Sequence, residues 1–446
     1  MRVFSLPLVA IAAVATVQPA GAETLKDALS LAYQTNPTIR AERARLRAIK
    51  ESRAQAWAGA LPQLSATAAY NKSDGDQTTT FTGTPTTTET KLDTKTAGVT
   101  AEQPIFTGFR NYNAIKQAGA RIRAGGAQLI ATEQQVLNDV AAAYLDVQRN
   151  MAVYELNKKN VTVLLRQQEM ASRRFEVGEI TRTDVAQAEA RLAQARANLS
   201  SAQSELAISR AAYAQLVGQV PADLEPVTEL PQLPETLEAA QNLAKSYAPA
   251  LVGAREQAEI SRRQVKIARG AILPSVSLTA GYQYAEEPSL FVDNTEEFTF
   301  GARASAPIFL GGLNFSKIRE AKANHSSDRA LLVAAERQVD TQTISAWERL
   351  VAARAIVRSA EAAVVANDLA LEGVRREALV GSRTTLDVLN AEQENLNAQV
   401  SLVSAQRDAQ AAAFGLLAVI GLLTPDAIGI DSEIGETDSF DLYNDN

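Results

Sequence analysis

Residues 108–176 contain no proline and are rich in Ala, Gln, Arg and Leu, a composition that favours one continuous α-helix. At 1.5 Å per residue that helix is about 100 Å long, more than the core of a globular domain can enclose. Along it Leu137, Val140, Tyr144, Val147, Met151, Tyr154, Val161 and Leu165 recur in alternating three- and four-residue steps, with Lys158 as the one polar member. This is a coiled-coil heptad. The Ala-rich segments 182–217 and 384–420 repeat the helical pattern, and small side chains let neighbouring helices approach closely. The chain is expected to be built on long packed helical hairpins, at 108–217 and 311–420.

The sequence also repeats itself. At an offset of 212, Leu25, Ala28, Leu31, Ala32 and Pro37 fall on Leu237, Ala240, Leu243, Ala244 and Pro249, and Leu61-Pro62 falls on Leu273-Pro274. At an offset of 203, Pro104-Ile105-Phe106 and Gly108 fall on Pro307-Ile308-Phe309 and Gly311. The same offset later sets Val177-Gly178, Thr181 and Asp184-Val185 on Val380-Gly381, Thr384 and Asp387-Val388. The change of offset lies between Tyr70 and Pro104, so the first copy carries a loop nine residues longer there. Pro221, Pro226, Pro231 and Pro234 mark a linker no regular helix tolerates. The expected organisation is a segment 1–22, a first repeat 23–220, a linker 221–235, a second repeat 236–422 and an acidic tail 423–446 expected to be disordered.

Four short segments alternate with period two, which means strand: about 63–72, 95–103, 275–284 and 297–306. Leu64, Ala66, Ala68 and Tyr70 alternate with polar or small residues, and Val276, Leu278, Ala280 and Tyr282 repeat the phase. Pro62, Pro104, Pro274 and Pro307 are expected where strand meets helix. Ser73 to Asp93, rich in Thr, and Glu286 to Glu297 read as solvent-facing loops. Four strands apolar on one face match the span of a transmembrane β-barrel but cannot close one. Open edges are not tolerated in lipid, so two copies would supply eight strands and three would supply twelve. The other reading of the pattern is a pair of soluble ribbons capping a periplasmic coiled-coil adaptor or structural rod.

Arg2, the apolar stretch Val3 to Val17 and the small-x-small site Ala20-Gly21-Ala22 form a secretory signal peptide, placing the mature start at Glu23. With no cysteine and a single histidine, His325, disulfides, thiol nucleophiles, Cys/His zinc sites and His-based triads are excluded or nearly so. There is no phosphate loop, no paired-carboxylate site and no basic patch suited to nucleic acid. No enzyme activity, cofactor or metal is expected. The net charge of −7 comes mostly from the last sixteen residues, which hold six acids and no base and are expected to be disordered. Trp57 and Trp347 lie in helical patterns and read as packing residues, and His325, also in a helical pattern, reads as solvated or in an interhelix hydrogen bond.

Two turns link the long helices. In Val177-Gly178-Glu179-Ile180-Thr181-Arg182-Thr183-Asp184 and Val380-Gly381-Ser382-Arg383-Thr384-Thr385-Leu386-Asp387, Gly suits a left-handed helix end and Thr-x-x-Asp starts the next helix. Capping alone accounts for these residue types. Their position adds a function: at the far end of the helices from the strands, in a tubular oligomer, symmetry-related Asp387 carboxylates would attract cations. Arg383 has Ile180 as its counterpart, so a bond from it to Thr183 or Asp184 breaks the repeat symmetry.

The succession of Leu25 to Pro37, Leu61 to Leu64, Gln103 to Gly108, Arg174 to Gly178 and Thr183 to Val185, with its second-copy equivalents, resembles the TolC family of outer-membrane efflux proteins over almost the whole mature chain. The resemblance implies a mainly helical fold and a homotrimer. Its twelve-stranded barrel would lie in the lipid of a Gram-negative outer membrane, continuous with an α-helical barrel crossing the periplasm. It also implies a passive duct of a tripartite efflux or type I secretion system. A periplasmic adaptor, docking at turns such as Val177-Gly178 and Val380-Gly381, would connect it to an inner-membrane transporter. By resemblance, Thr183, Asp184 and Arg383 tie the hairpins at a closed periplasmic entrance, and Asp387 forms an acidic ring. Where the family's best-known member has a gate tyrosine and a second acidic ring, this chain has Ala378 and Asn390.

Overall fold

The computed structural model describes residues 23–221, 223–227, 231–289 and 291–429; the expected signal peptide and the acidic segment from 430 lie outside them. The first repeat runs α1 (Leu25–Thr35), α2 (Pro37–Ala58), β1 (Gln63–Phe81), β2 (Thr84–Phe106), α3 (Arg110–Glu176) and α4 (Arg182–Val217). The second runs α5 (Leu237–Tyr247), α6 (Pro249–Gly270), β3 (Ser275–Ser289), β4 (Val292–Ser305), α7 (Leu313–Leu379) and α8 (Thr385–Ile420). The two copies match element for element. Both α3 and α7 have 67 residues, and both α4 and α8 have 36. Pro37 and Pro249 begin α2 and α6 and hold the preceding Asn36 and Ala248 extended, which separates each short helix from the one before it.

The strands form one antiparallel sheet in the order β1-β2-β3-β4, so the β2–β3 ladder joins the two repeats. They are longer than expected. The Thr-rich segment 73–93 is not a loop: Ser73 pairs with Leu92 and the ladder continues to Phe81 and Thr84. It closes through Thr82 and Gly83, both at positive φ, as a two-residue hairpin turn requires. β-Branched threonine fits a pleated strand on either face, so pairing survives where apolar alternation ends. In the second repeat β3 likewise extends to Ser289 and β4 begins at Val292. Pro104 lies inside β2 rather than beyond it, at a register shift between Pro104 and Phe106; a bulge accommodates its missing N–H.

Pairing aligns the apolar residues on one face. Leu64, Ala101, Ala280 and Phe300 form one row across the sheet, and Ala66, Val99, Tyr282 and Phe298 form the next. Phe298 and Phe300 are each 75% exposed. The opposite face carries Ser65, Thr67, Thr100, Gly281 and Thr299. Above Tyr70 the apolar face gives way to Lys72, Asp74 and Asp76 as the first hairpin continues alone. No helix among the described residues is long and apolar enough to cross a membrane.

The main core gathers α1, α3, α4, α5 and α8, with Ile39 of α2, Leu251 of α6, and Val339 and Leu350 of α7. Of the heptad residues, Leu137, Val140, Tyr144 and Val147 are buried in it, and Met151 and Tyr154 pack on its edge. Val161 packs on a second cluster, while Leu165 is exposed. The Tyr144 hydroxyl reaches the carbonyls of Glu23 and Glu225 at 2.8 and 2.7 Å, and the Tyr213 hydroxyl donates to Glu23 Oε1 at 2.5 Å. Burial pushes both phenols up from their ordinary range and fixes them as donors. They pin Glu23 and the linker residue Glu225 to the long helices. The C-terminal segment expected to be loose from 423 is packed further: Leu423 is buried in the core and Asp426–Ile428 form a 3-10 turn. Trp347 packs against the core, Trp57 is half exposed, and His325 Nδ1 lies 3.1 Å from Ser261 Oγ, joining α7 to α6.

Candidate functional site: the paired turns at the distal helix ends

α3 and α7 leave the sheet end of the molecule and run about 100 Å before turning. Both turns are closed by the same chemistry. After α3, Gly178 takes φ +76°, and the amides of Gly178 and Glu179 donate to the carbonyls of Phe175 and Arg174 at 2.9 Å each. After α7, Gly381 takes φ +78°, and the amides of Gly381 and Ser382 donate to Ala378 and Glu377 at 3.1 and 3.0 Å. A glycine at the left-handed position ends each helix without steric cost. Val177 and Val380 stand exposed at the tips.

Each following helix opens with a capping box. Thr181 donates its amide and hydroxyl to Asp184 Oδ2 at 3.0 and 2.8 Å, and the Asp184 amide donates back to Thr181 Oγ1 at 3.4 Å. Thr384 and Asp387 repeat this at 2.9, 2.7 and 3.2 Å. The hydroxyl and amide of Thr181 hold the Asp184 carboxyl below its ordinary range. The amide and hydroxyl of Thr384 do the same for Asp387.

The basic residues of the turns stay local. Arg174 pairs with Glu179 at 2.7 Å and Arg383 with Glu377 at 2.8 Å. Within the chain Arg383 therefore does not reach Thr183, which is exposed, or Asp184; its charge is taken up by its own hairpin.

The hairpins are joined instead through Asn390, one of the expected constriction residues, and through Arg191 and Leu389, which sequence reasoning did not single out. Arg191 on α4 donates to Asn390 Oδ1 on α8 at 2.9 Å. Leu389 is buried in a small cluster with Leu164 and Ala171 of α3 and Ala188, Leu192 and Ala195 of α4. Asn390, expected as a neutral gap in an acidic ring, is thus one half of a cross-hairpin bond. The signal was present as broken repeat symmetry: Arg191, Leu389 and Asn390 fall on Glu394, Ala186 and Gln187 at the offset of 203.

The family model described as "Outer membrane efflux protein" matches residues 28–219 and 240–422, one span per repeat. The outer membrane efflux protein BepC of Brucella suis is 34% identical over 418 residues, covering 94% of this chain and 89% of that protein. Outer membrane protein TolC of Vibrio cholerae is 27% identical over 429 residues, covering 94% and 95%. The crystal structure of the outer membrane protein VceC of Vibrio cholerae superposes with a TM-score of 0.78 at 25% identity, over 89% of this chain and 96% of that one. These relatives replace the periplasmic adaptor or rod reading. With both repeats matched and the sheet and hairpins in place, the chain belongs to the outer membrane efflux protein family: it is a non-enzymatic, TolC-type outer-membrane channel with a periplasmic extension.

Proposed function

We propose that three copies assemble into one continuous duct, a shared twelve-stranded barrel in the outer membrane leading into a helical barrel across the periplasm. The observation that carries this reading is the sheet itself: one face is apolar and exposed, and its outer strands β1 and β4 have no neighbour on one side. Such edges must be paired in lipid. Two copies would give eight strands, a barrel whose interior side chains fill; three give twelve and leave a lumen. The helices support the same assembly. α3 buries a long row of residues, whereas α7 buries only Ala321, Val339, Thr343, Leu350 and Leu371 and leaves Val365 and Leu369 about 70% exposed, a surface suited to a second copy.

In this duct the paired turns ring the periplasmic opening. Thr183, Asp184, Arg383, Asp387 and Asn390 line or border the constriction. The tips at Val177-Gly178 and Val380-Gly381 receive a periplasmic adaptor, which couples the duct to an inner-membrane transporter. Docking opens the gate and the duct conducts passively, so the transporter selects the cargo, small molecule or secreted protein.

Planar-bilayer recording tests the constriction. Asp387→Asn should reduce cation over anion selectivity several-fold while leaving assembly intact. The carboxyl of Asp387 is held low by Thr384, so its charge is present above the ordinary value of 3.8 and lost only as pH falls through the lower folded value. The capping bonds also oppose the mutual repulsion of three carboxylates, so selectivity should persist at about pH 5. Unchanged selectivity in Asp387→Asn would remove the distal turns from the constriction.

A further inference from the structure

The four helices that reach the sheet stand side by side beneath it. Asn111 of α3 donates to the Gly59 carbonyl at the end of α2, Gln117 of α3 donates to the Ile260 carbonyl of α6 at 3.0 Å, and Ser261 of α6 meets His325 of α7. The lipid face of the sheet continues onto them. Phe106 pairs with Val276 on the apolar face, and its ring meets that of Phe109 edge-on at 5.2 Å. Tyr112 and Lys116 follow Phe109 on the same side of α3 at helical spacing, so Lys116 stands below the apolar band on its outer side. The other helices repeat this arrangement. Exposed Trp57 and Phe315, like Tyr112, each have an exposed base four residues farther from the sheet: Arg53, Arg319 and Lys116. On α6 the exposed Leu273 is followed on one side by Arg269 and Lys266, four and seven residues away. Arg53, Lys116, Lys266 and Arg319 lie four to six residues inside the sheet-side ends of their helices, about 6–9 Å below the edge. A headgroup layer is about 5–8 Å deep, and long basic side chains reach along it. None of the four is ion-paired among the described residues. Their surroundings carry one sign of charge: Pro104 to Thr132 holds four bases and no acid, and 260–274 does the same. Arg262 and Arg263 are taken up by Glu259, one turn lower. The opposite edge of the band differs. Residues 285–297 hold five acids and no base, and Lys72, Lys91 and Lys95 are each paired with a carboxylate.

We propose that Arg53, Lys116, Lys266 and Arg319 form a basic collar that binds anionic phospholipid in the periplasmic leaflet of the outer membrane. Each base takes a headgroup phosphate, and the aromatic or leucine nearer the sheet packs at the boundary with the acyl chains, where aromatic belts sit. This rests on the reading of the sheet as part of a shared barrel spanning the lipid. Four bases per chain make a ring of twelve in the trimer. The lipid class follows from the chemistry of the bases. An unpaired ammonium or guanidinium favours a phosphate that carries no cation of its own, as in phosphatidylglycerol, over one already neutralised by the ammonium of phosphatidylethanolamine. The collar fixes the depth of the barrel: bases held at the phosphates and apolar side chains held above them oppose movement in either direction.

The test titrates the full-length detergent-solubilised particle with phosphatidylglycerol and, separately, phosphatidylethanolamine, and counts bound lipids by native mass spectrometry. The parent should prefer phosphatidylglycerol about fivefold per site, the ratio that one base near an anionic headgroup supplies. Arg53→Gln, Lys116→Gln, Lys266→Gln and Arg319→Gln together should remove the preference and leave phosphatidylethanolamine binding unchanged. The same change at four exposed bases lower on the long helices, Arg166, Arg196, Arg354 and Arg358, should keep it. A collar variant that still prefers phosphatidylglycerol overturns the proposal. So does one that instead loses binding to isolated peptidoglycan, which would make the collar a cell-wall contact. Should the fourfold variant not assemble, the parent decides: its preference should fade as salt rises from about 0.05 to 0.5 M, and a preference indifferent to salt contradicts a phosphate–base contact. The same spectra give the number of chains. A trimer without lipid preference sinks the collar alone, whereas a particle that is not trimeric sinks the barrel reading and the collar with it.

Discussion

Gly270→Ala should cost about 3 kcal/mol or more of stability and leave little folded channel in the outer membrane. Gly270 ends α6, and a Cβ there would lie 2.3 Å from the carbonyl oxygen of Gly108 and 2.8 Å from Arg110 Cγ. The first of these atoms is backbone, so no rotamer change relieves the clash. Gly108 is itself held at φ +62° at the β2–α3 junction, and a Cβ on it would meet the Gly270 carbonyl oxygen at 2.3 Å. The two glycines are the point where the last turn of α6 in one repeat packs against the strand-to-helix corner of the other. Overpacking a close contact of this kind costs about 1–3 kcal/mol and more where backbone must move. Gly253 on the same helix is the control. Nothing lies within 4 Å of a Cβ built there, so Gly253→Ala should stabilise by roughly 0.5–1 kcal/mol through helix propensity. Denaturant or thermal midpoints of the two variants in detergent should move in opposite directions; equal midpoints would mean that the corner yields freely.

The second large effect is in the sheet. Phe300→Arg should abolish membrane assembly, because Phe300 lies at mid-height of the apolar face, in a row with Leu64, Ala101 and Ala280. An arginine on the lipid face near the bilayer midplane costs about 2–4 kcal/mol, and a trimer carries it three times. Thr299→Arg, one residue away, points to the opposite face with Gly281 and Thr100. There it should assemble and change conductance instead, as lumen substitutions do. Recovery of protease-resistant particles from outer membranes distinguishes the two. Normal assembly of Phe300→Arg with failure of Thr299→Arg would reverse the faces and turn the barrel inside out.

These variants divide what the sequence shows from what it hides. The long helices were legible because 108–176 lacks proline and Leu137 to Val147 keep a heptad, and local rules suffice for both. The turns were legible for the same reason: Gly178, Gly381 and the two Thr-x-x-Asp boxes are specified within eight residues. The outer half of the β1–β2 hairpin was not, since Thr78 to Thr90 has no apolar alternation and its pairing rests on β-branched residues and the Thr82-Gly83 turn. Contacts between distant segments were hidden more deeply. Gly108 and Gly311 match at the repeat offset, and both take positive φ, yet only Gly108 is crowded. Likewise Arg191 and Asn390 meet because the two hairpins lie side by side, a fact that neither helix encodes alone. Where the repeat symmetry breaks, at Arg191, Leu389 and Arg383, the chain departs from what duplication alone would build.

The central claim is that this sheet and these hairpins close into a duct only when three copies combine. It is tested most directly by the native mass of the particle extracted by detergent from purified outer membranes, measured with the bound detergent accounted for. Three chains per particle is the predicted result. A particle of two chains would give an eight-stranded barrel without a lumen, and a single chain would leave the edges of β1 and β4 unpaired; either result would contradict the account.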